Sequence, residues 1–265
     1  MKKKIKVVIV VLLLAFVISI SSLIILVMNP TLLYSRESIY KNFTIYHNKP
    51  ISLWLIIRLD RVTNLLESSE LYDPDFNYSI CLNDGSAYPK LIKAIQGDAF
   101  GWGFYHYVVL NGNPNFERNF TELRSHKWNL TQLIAHEAMH CQQFNTFGFW
   151  KSNPVAKIPN WKWEGYPEYI ARKKTDQIDL FKNMAGLISE GKTNTRDWIS
   201  FADGTGTSLQ YYKNWLLIQY CMNIKKMTFV QVIHNKQGEA ELTTEMMKWY
   251  SGQKGGNSLL SDSQE

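Results

Sequence analysis

The feature that most restricts the fold of this chain is the stretch at residues 133–144, which reads LIAHEAMHCQQF. It contains His136, Glu137 and His140 in the spacing H-E-x-x-H. On an α-helix, residues four apart lie one turn above each other on the same face, so both imidazoles can be directed at one point. Neutral imidazole nitrogens are ligands for Zn²⁺, and a carboxylate beside a metal-bound water can accept its proton. The spacing therefore predicts a helix that carries two zinc ligands and a general base, Glu137.

The flanking residues predict the same helix. Apolar residues recur at spacings of three and four from Trp128 to Phe144, and neither Gly nor Pro interrupts the segment before Gly148. At about 100° per residue, Glu137 falls on the apolar face, where an unpaired carboxylate is costly. Two interpretations are open at this point: a metal that faces Glu137, or a core helix with two hydrogen-bonded histidines.

A catalytic zinc site needs a third protein ligand and an open position for water. The sequence after His140 lacks the histidine of an H-x-x-G-x-x-H continuation. The candidate is Glu164, 24 positions after His140, within WKWEGYPEY at residues 161–169. A helix must begin close to Glu164, because Pro167 is tolerated only in a first helical turn. The structural alternative is that Glu164 and Glu168 are exposed acids at a helix start, where the helix dipole favours them.

Together these residues resemble the gluzincin metallopeptidases, the thermolysin and aminopeptidase N-like clan, especially its compact members. In that clan, H-E-x-x-H lies on one helix and a glutamate that opens the next helix completes the metal site. The resemblance implies one Zn²⁺ ion, held by His136, His140 and Glu164. It also implies that Glu137 is the general base and that the Glu168 carboxylate supports a ligand histidine by contacting the side of its ring that does not face the metal.

The resemblance extends to residues 211–220, which read YYKNWLLIQY. In this register Tyr211 matches the clan position whose phenol can reach the tetrahedral intermediate, and Tyr212 is its alternative. Tyr211 also fits a core stripe with Trp215, so a purely structural role stays open. In the clan, the last strand before the metal helix borders the cleft and can pair with an extended substrate. We expect residues 104–110 to hold that place.

An uncharged apolar run of 22 residues, Val7 to Met28, follows a basic segment at residues 1–6. As a helix it is about 33 Å long, which is enough to cross the hydrocarbon core of a membrane. It is longer than the apolar region of a signal peptide, and no A-x-A-like cleavage site follows it. We expect an uncleaved transmembrane signal anchor with its lysines in the cytoplasm and the body outside. Export after cleavage of this segment is the alternative.

The remaining patterns predict an α+β fold, with a small N-terminal β-sheet and helices ahead of a mostly helical body that the resemblance implies is zincin-like. We expect a connector at residues 29–42, a single peptidase domain at 43–250 and a flexible tail at 251–265. Strands are predicted at 43–47, 78–82 and 104–110. Helices are predicted at 50–69, 88–95, 177–190, 207–223, 226–235 and 239–250.

The charge and the cysteine content argue against a nucleic-acid-binding protein and against a disulfide-stabilised fold. The net charge of +6 includes four lysines in the first six residues, so the rest of the chain is near balance and indicates no nucleic-acid partner. The three cysteines, Cys81, Cys141 and Cys221, are an odd number without C-x-x-C spacing, which is not a disulfide framework. Cys141 directly follows His140 and therefore points to another side of the helix, as a small core residue does.

These observations predict a membrane-anchored, zinc-dependent peptidase that hydrolyses peptide or protein substrates outside the cytoplasm. One alternative is a catalytically silent module of the same fold that binds a partner or senses at the membrane. Another is a structural zinc site, which would need a fourth protein ligand. Cys141 is the nearest candidate for that ligand and points the wrong way.

Overall fold

The computed structural model describes residues 2–173, 177–193 and 197–261. The fold is mixed α+β, with 55% helix and 16% strand, and has an apolar helix at its N-terminus. That helix, α1 (Lys2–Met28), contains an 18-residue window within Lys4–Met28 that has a mean hydropathy of 3.2 and no buried residue. Length and composition allow α1 to cross a membrane, and a signal sequence has the same properties. The predicted basic tail is the first turn of this helix, apart from Met1, which lies outside the described residues.

A five-stranded mixed sheet forms the first part of the body. Its strands in chain order are β1 (Arg36–Tyr40), β2 (Phe43–His47), β3 (Tyr78–Cys81), β4 (Gly101–Phe104) and β5 (Tyr107–Leu110). Their order in space is β1-β2-β3-β5-β4, so β1 and β4 are the edges. The three central strands are parallel, and each edge strand pairs antiparallel with its neighbour.

The segment at residues 104–110, predicted as one strand, is divided between β4 and β5. The chain reverses at Tyr105 and His106, where Tyr105 has φ of 51°. No Gly, Pro or Asn marks this turn, so the run of aromatic and β-branched residues reads as continuous strand. The prediction of residues 104–110 as the strand that borders the cleft was therefore wrong. The sheet edge is β4, and β5 lies inside the sheet.

The two faces of the sheet are covered by different helices. Helix α2 (Leu53–Leu66) packs in the main core with Ile80 and Val108, and α3 (Tyr88–Gln96) packs in a second cluster with Cys81 and Val109. Neighbouring residues of one strand point to opposite faces, which explains this division. The predicted helices at 50–69 and 88–95 are thus present with slightly different ends.

The segment predicted as a connector is mostly structured. It contains a short 3₁₀ helix at Pro30–Leu33 and the edge strand β1, which pairs with β2 along its whole length. The end of α1 is also fixed to the body, because the Tyr88 hydroxyl donates to the Val27 carbonyl at 2.6 Å and the Tyr107 hydroxyl donates to the Met28 carbonyl at 2.6 Å. The folded body therefore begins directly after α1, with no free linker.

A small antiparallel sheet that the sequence did not predict leads into the next helix. Its strands are β6 (Asn113–Asn115), β7 (Phe120–Leu123) and β8 (His126–Asn129). Helix α4 (Leu130–Phe147) follows at once, and the side chain of Asn129 caps it by accepting from the Gln132 amide at 3.2 Å. Gly148, with φ of 74°, ends the helix. The helix predicted around H-E-x-x-H is therefore present.

The second half of the body is mostly helical. Its elements are α5 (Asn160–Trp163), α6 (Gly165–Ala171), α7 (Leu180–Thr193), β9 (Trp198–Ser200), β10 (Gly206–Ser208), α8 (Leu209–Gln219), α9 (Phe229–His234) and α10 (Glu239–Ser261). A π-helical turn at Tyr220–Ile224 continues α8. Helix α10 runs to Ser261 and thus covers most of the segment predicted as a flexible tail at 251–265, and 262–265 lie outside the described residues.

Candidate metal centre

Helix α4 brings His136, Glu137 and His140 together in the interior. Their exposed fractions are 2%, 7% and 7%. One ligand atom from each lies within 4.8 Å of the others, so these residues could contribute to a metal site. Two imidazoles and a carboxylate buried at one point are costly without a cation or hydrogen bonds to balance them.

Glu164 joins the two histidines from the junction between α5 and α6. Its Oε2 lies 3.2 Å from His140 Nε2 and 3.4 Å from His136 Nε2, and the two Nε2 atoms are 3.2 Å apart. Zinc bonds of 2.0–2.1 Å in a tetrahedron separate neighbouring ligand atoms by roughly 3.3–3.4 Å. The three atoms therefore fit one face of a tetrahedral zinc site.

The Nε2 atoms of both imidazoles face this point, and the ring of His140 is held there by a hydrogen bond. Gln143 donates from its amide to the Trp163 carbonyl at 3.0 Å, which leaves its oxygen to accept from His140 Nδ1 at 2.8 Å. The Nδ1 of His136 lies 3.5 Å from Glu168 Oε2, which is within ion-pair distance, but the two atoms are not hydrogen-bonded. For His140, a proton at Nδ1 that is donated to Gln143 leaves the lone pair on Nε2, which is the form that a metal requires.

Glu168 is itself fixed by a buried network. It has no exposed side-chain surface, and its Oε1 accepts from Arg172 at 3.2 Å and from the Thr207 hydroxyl at 2.9 Å. Burial raises the pKa of Glu168, but the Arg172 guanidinium and His136 outweigh it and hold that pKa at about 2. The carboxylate behind His136 is therefore ionised at neutral pH.

The electrostatics of the site favour a cation. Burial lowers the pKa of His136, but the carboxylates of Glu164 and Glu168 outweigh it and raise the pKa to about 10. Burial also raises the pKa of Glu164, and His140 and His136 more than reverse this to leave it well below its usual range. At neutral pH His136 is therefore protonated in the metal-free site, and its proton supplies the positive charge that a bound metal ion would otherwise supply.

Glu137 lies between α4 and the edge strand β4. Burial raises its pKa, while the two histidines and the Gly103 amide oppose the rise. A Cβ on Gly103 would overlap the carbonyl oxygen of Glu137, so only glycine allows β4 to approach α4 this closely. The strand edge and the carboxylate thus border the same space.

A groove opens on both sides of these residues. A cavity of about 380 Å³ and another of about 370 Å³ share His136, Glu137 and Tyr211 in their linings. The first is bordered by Phe144 and Trp163, and the second by aromatic residues that include Trp128 and Trp198. The candidate metal centre therefore has space for water-sized molecules beside it and is not sealed in the core.

The two candidate tyrosines have different surroundings. The Tyr211 ring lies 5.5 Å from the His136 ring, and the charge of Glu164, followed by burial, raises the Tyr211 pKa. The Tyr212 hydroxyl instead donates to the Asn183 carbonyl at 2.9 Å, in the core. Tyr211 is thus the tyrosine that the structure brings to the site.

Cys141 is directed away from the histidines. Its thiol is buried and donates to the carbonyl oxygens of Tyr107 at 3.4 Å and Glu137 at 3.5 Å. Burial raises the pKa of this thiol well above its usual value, which disfavours the thiolate that zinc requires.

Two residues that hold site residues in place, Gln143 and Arg172, were missed in the sequence analysis. Gln143 follows His140 by three positions and contacts it, and Arg172 follows Glu168 by four positions and contacts it. Residues at these spacings lie on the same side of a helix. That spacing was a usable signal. The contact of Gly103 with Glu137 had no such signal, because it joins elements distant in the sequence.

Comparisons with known proteins give no match. The chain matches no protein-family model, no curated protein and no solved structure.

Proposed function

We propose that this protein is a zinc-dependent metallopeptidase of the gluzincin type. The observation that carries the proposal is the convergence of His136 Nε2, His140 Nε2 and Glu164 Oε2 within 3.2–3.4 Å of one another, beside Glu137 and an open groove. Two imidazoles and one glutamate are a donor set of catalytic zinc, which leaves a position for water. The third ligand is Glu164, because the distances from its Oε2 to the two Nε2 atoms match those between neighbouring ligand atoms in a tetrahedral zinc site.

When bound, zinc supplies a Lewis acid that lowers the pKa of water and polarises a carbonyl. Glu137 accepts the proton of the attacking water on its carboxylate and then passes it to the nitrogen of the leaving amine. Burial raises the pKa of Glu137 above its ordinary value, which makes its carboxylate a stronger base toward the water and lets it hold the proton until the amine leaves.

Tyr211 stabilises the negative charge that develops on the substrate carbonyl oxygen. Its raised pKa keeps the phenol protonated, so the hydroxyl remains a hydrogen-bond donor. Strand β4 is the terminal strand of the sheet and lines the cavity beside Glu137, which is where an extended peptide would pair with it. The proposed substrates are therefore peptides or unstructured protein segments.

Helix α1 is proposed to remain as a membrane anchor, with its N-terminal lysines in the cytoplasm and the body on the other side. Two carbonyls near its end, Val27 and Met28, accept hydrogen bonds from tyrosines of the body. Cleavage after α1 would separate these acceptors from the body, which favours an anchor over a signal that is removed.

The proposal is tested with Glu137→Gln in the full chain. We expect this variant to keep its zinc and to lose cleavage of a peptide library by orders of magnitude, because the general base is gone and the ligands are intact. A chelator should abolish cleavage by the wild-type protein in the same assay. Zinc binding without any cleavage by the wild type would instead indicate a silent binding module.

A further inference from the structure

An aromatic patch is exposed at the rim of the groove. We define the rim patch as Tyr105, Phe149 and Trp150, whose exposed fractions are 43%, 45% and 79%. Tyr105 stacks on Phe144, with ring centroids 5.7 Å apart, and on Phe149 at 6.5 Å. Phe144 in turn lines the cavity beside Glu137. The rim patch therefore continues outward from the wall of the groove.

The rim patch is also continuous with the end of α1. Val27, Met28 and Phe144 all pack against the same buried cluster, which includes Phe104 and Tyr107. Tyr105 precedes by two residues the tyrosine whose hydroxyl binds the Met28 carbonyl. Because Tyr105 stacks on Phe144, and Phe144 packs against the same cluster as Val27 and Met28, the rim patch is connected to the end of α1 through that cluster.

The sequence segment that carries Phe149 and Trp150 contains lysines and no acidic residue, and its Asn145 donates to Asp73, from another part of the chain, at 3.1 Å. Residues 141–163 contain Lys151, Lys157 and Lys162 and no Asp or Glu. Lys151 and Lys157 are exposed, whereas Lys162 is buried and donates to backbone carbonyls. Aromatic rings flanked by lysines match the interfacial layer of a membrane, where rings sit at headgroup depth and basic groups meet anionic lipids.

We propose that the rim patch inserts into the interfacial layer of the membrane that α1 spans, with Lys151 and Lys157 against anionic headgroups. Because α1 joins the body without a free linker, the body lies at the membrane surface, and the patch is on the side of the body next to α1. This inference rests on α1 remaining in the membrane and is independent of metal binding. If the proposed peptidase activity also holds, one end of its groove opens at the membrane surface, and its substrates are membrane-proximal segments.

The test uses the full chain in vesicles of phosphatidylcholine and phosphatidylglycerol, with an environment-sensitive fluorophore on Trp150→Cys. The matched control is Leu53→Cys, because Leu53 is 74% exposed and lies on α2, against the opposite face of the sheet. The three native cysteines are buried and leave the introduced thiol as the reactive one. Lipids with a headgroup-level nitroxide should quench the label at position 150 several-fold more than the label at position 53. Equal quenching would overturn the proposal, as would failure of the chain to float with the vesicles.

A second comparison separates this inference from the proposed function. In a Glu137→Gln background, without metal, the quenching at position 150 should be unchanged, whereas peptide cleavage should be lost. Replacing Lys151 and Lys157 by glutamate should reduce the quenching in vesicles with phosphatidylglycerol. Quenching that is insensitive to both charge reversals would contradict the assignment of headgroup contacts to these lysines.

Discussion

At His136 a proton and a metal ion compete for the same nitrogen. The carboxylates of Glu164 and Glu168 make the position attractive to any cation, and they raise the pKa of the imidazole to about 10 against the cost of burial. Zinc requires the deprotonated Nε2, so at neutral pH each bound ion must displace one proton. The charge arrangement that holds the metal also makes its affinity depend on pH.

We predict that zinc affinity rises with pH up to about pH 10. Below the pKa of His136 the metal-free site holds the competing proton, so the Kd should fall about tenfold for each pH unit. The measurement is a chelator competition titration from about pH 7 to about pH 9, within the range set by the raised pKa. In Glu168→Gln the pKa of His136 should be lower and the slope shallower. A Kd that does not change with pH would contradict this account.

We predict that Tyr211→Phe lowers kcat by roughly a hundredfold with little change in KM, because the lost hydroxyl acts on charge that develops only in the transition state. Tyr212→Phe is the matched control, since its hydroxyl binds the Asn183 carbonyl in the core. That variant should lose about 1 kcal/mol of unfolding free energy and keep its kcat. Steady-state kinetics on both variants make the comparison. Equal kcat in Tyr211→Phe and wild type would remove Tyr211 from the mechanism.

At the scale of elements, the contact between β4 and α4 decides where Glu137 points. We predict that Gly103→Ala destabilises the fold by about 1–3 kcal/mol or more, because the added methyl group would overlap the Glu137 carbonyl and push the edge strand away. We expect the same variant to cleave peptides more slowly than the wild type, because Glu137 is displaced. Gly238→Ala is the control, since nothing lies within 4 Å of its added Cβ. Denaturant unfolding of both variants measures the difference, and similar stability in the two would contradict the close approach.

The elements that could be predicted from the sequence are those fixed by local spacing. The register of His136 and His140 on α4 follows from a four-residue interval, and the C-terminal end of α4 follows from Gly148. Glu164 is different, because its distance of 3.2 Å from His140 depends on how α6 packs against α4. Its candidacy came from a resemblance to known proteins and not from spacing alone.

The missed elements lack local signals. The turn at Tyr105 and His106 contains no Gly, Pro or Asn, and the pairing of β4 with β5 decides where the strand is broken. Strands β6, β7 and β8 have three or four residues each, which is too short for a clear alternation. Strand β1 reads as connector because its side chains are mostly exposed and its partner β2 provides the hydrogen bonds.

At the scale of the whole molecule, a continuous series of contacts connects helix α1 to the candidate metal centre. Helix α1 is fixed to the sheet through Tyr88 and Tyr107, the sheet edge β4 lies against α4, and α4 carries the two histidines. The position of the candidate metal centre relative to α1 is therefore set by folded elements. In a membrane spanned by α1, the groove would lie at a fixed distance from the membrane surface.

The metal content of the purified full chain tests the central claim most directly. We predict one zinc ion per chain in the wild type, and marked loss of that zinc in His140→Ala and in Glu164→Ala, because each variant removes one of three ligands. Glu137→Gln should keep the wild-type stoichiometry. Elemental analysis that finds no stoichiometric metal in the wild type, or equal zinc in the wild type and both ligand variants, would contradict the account.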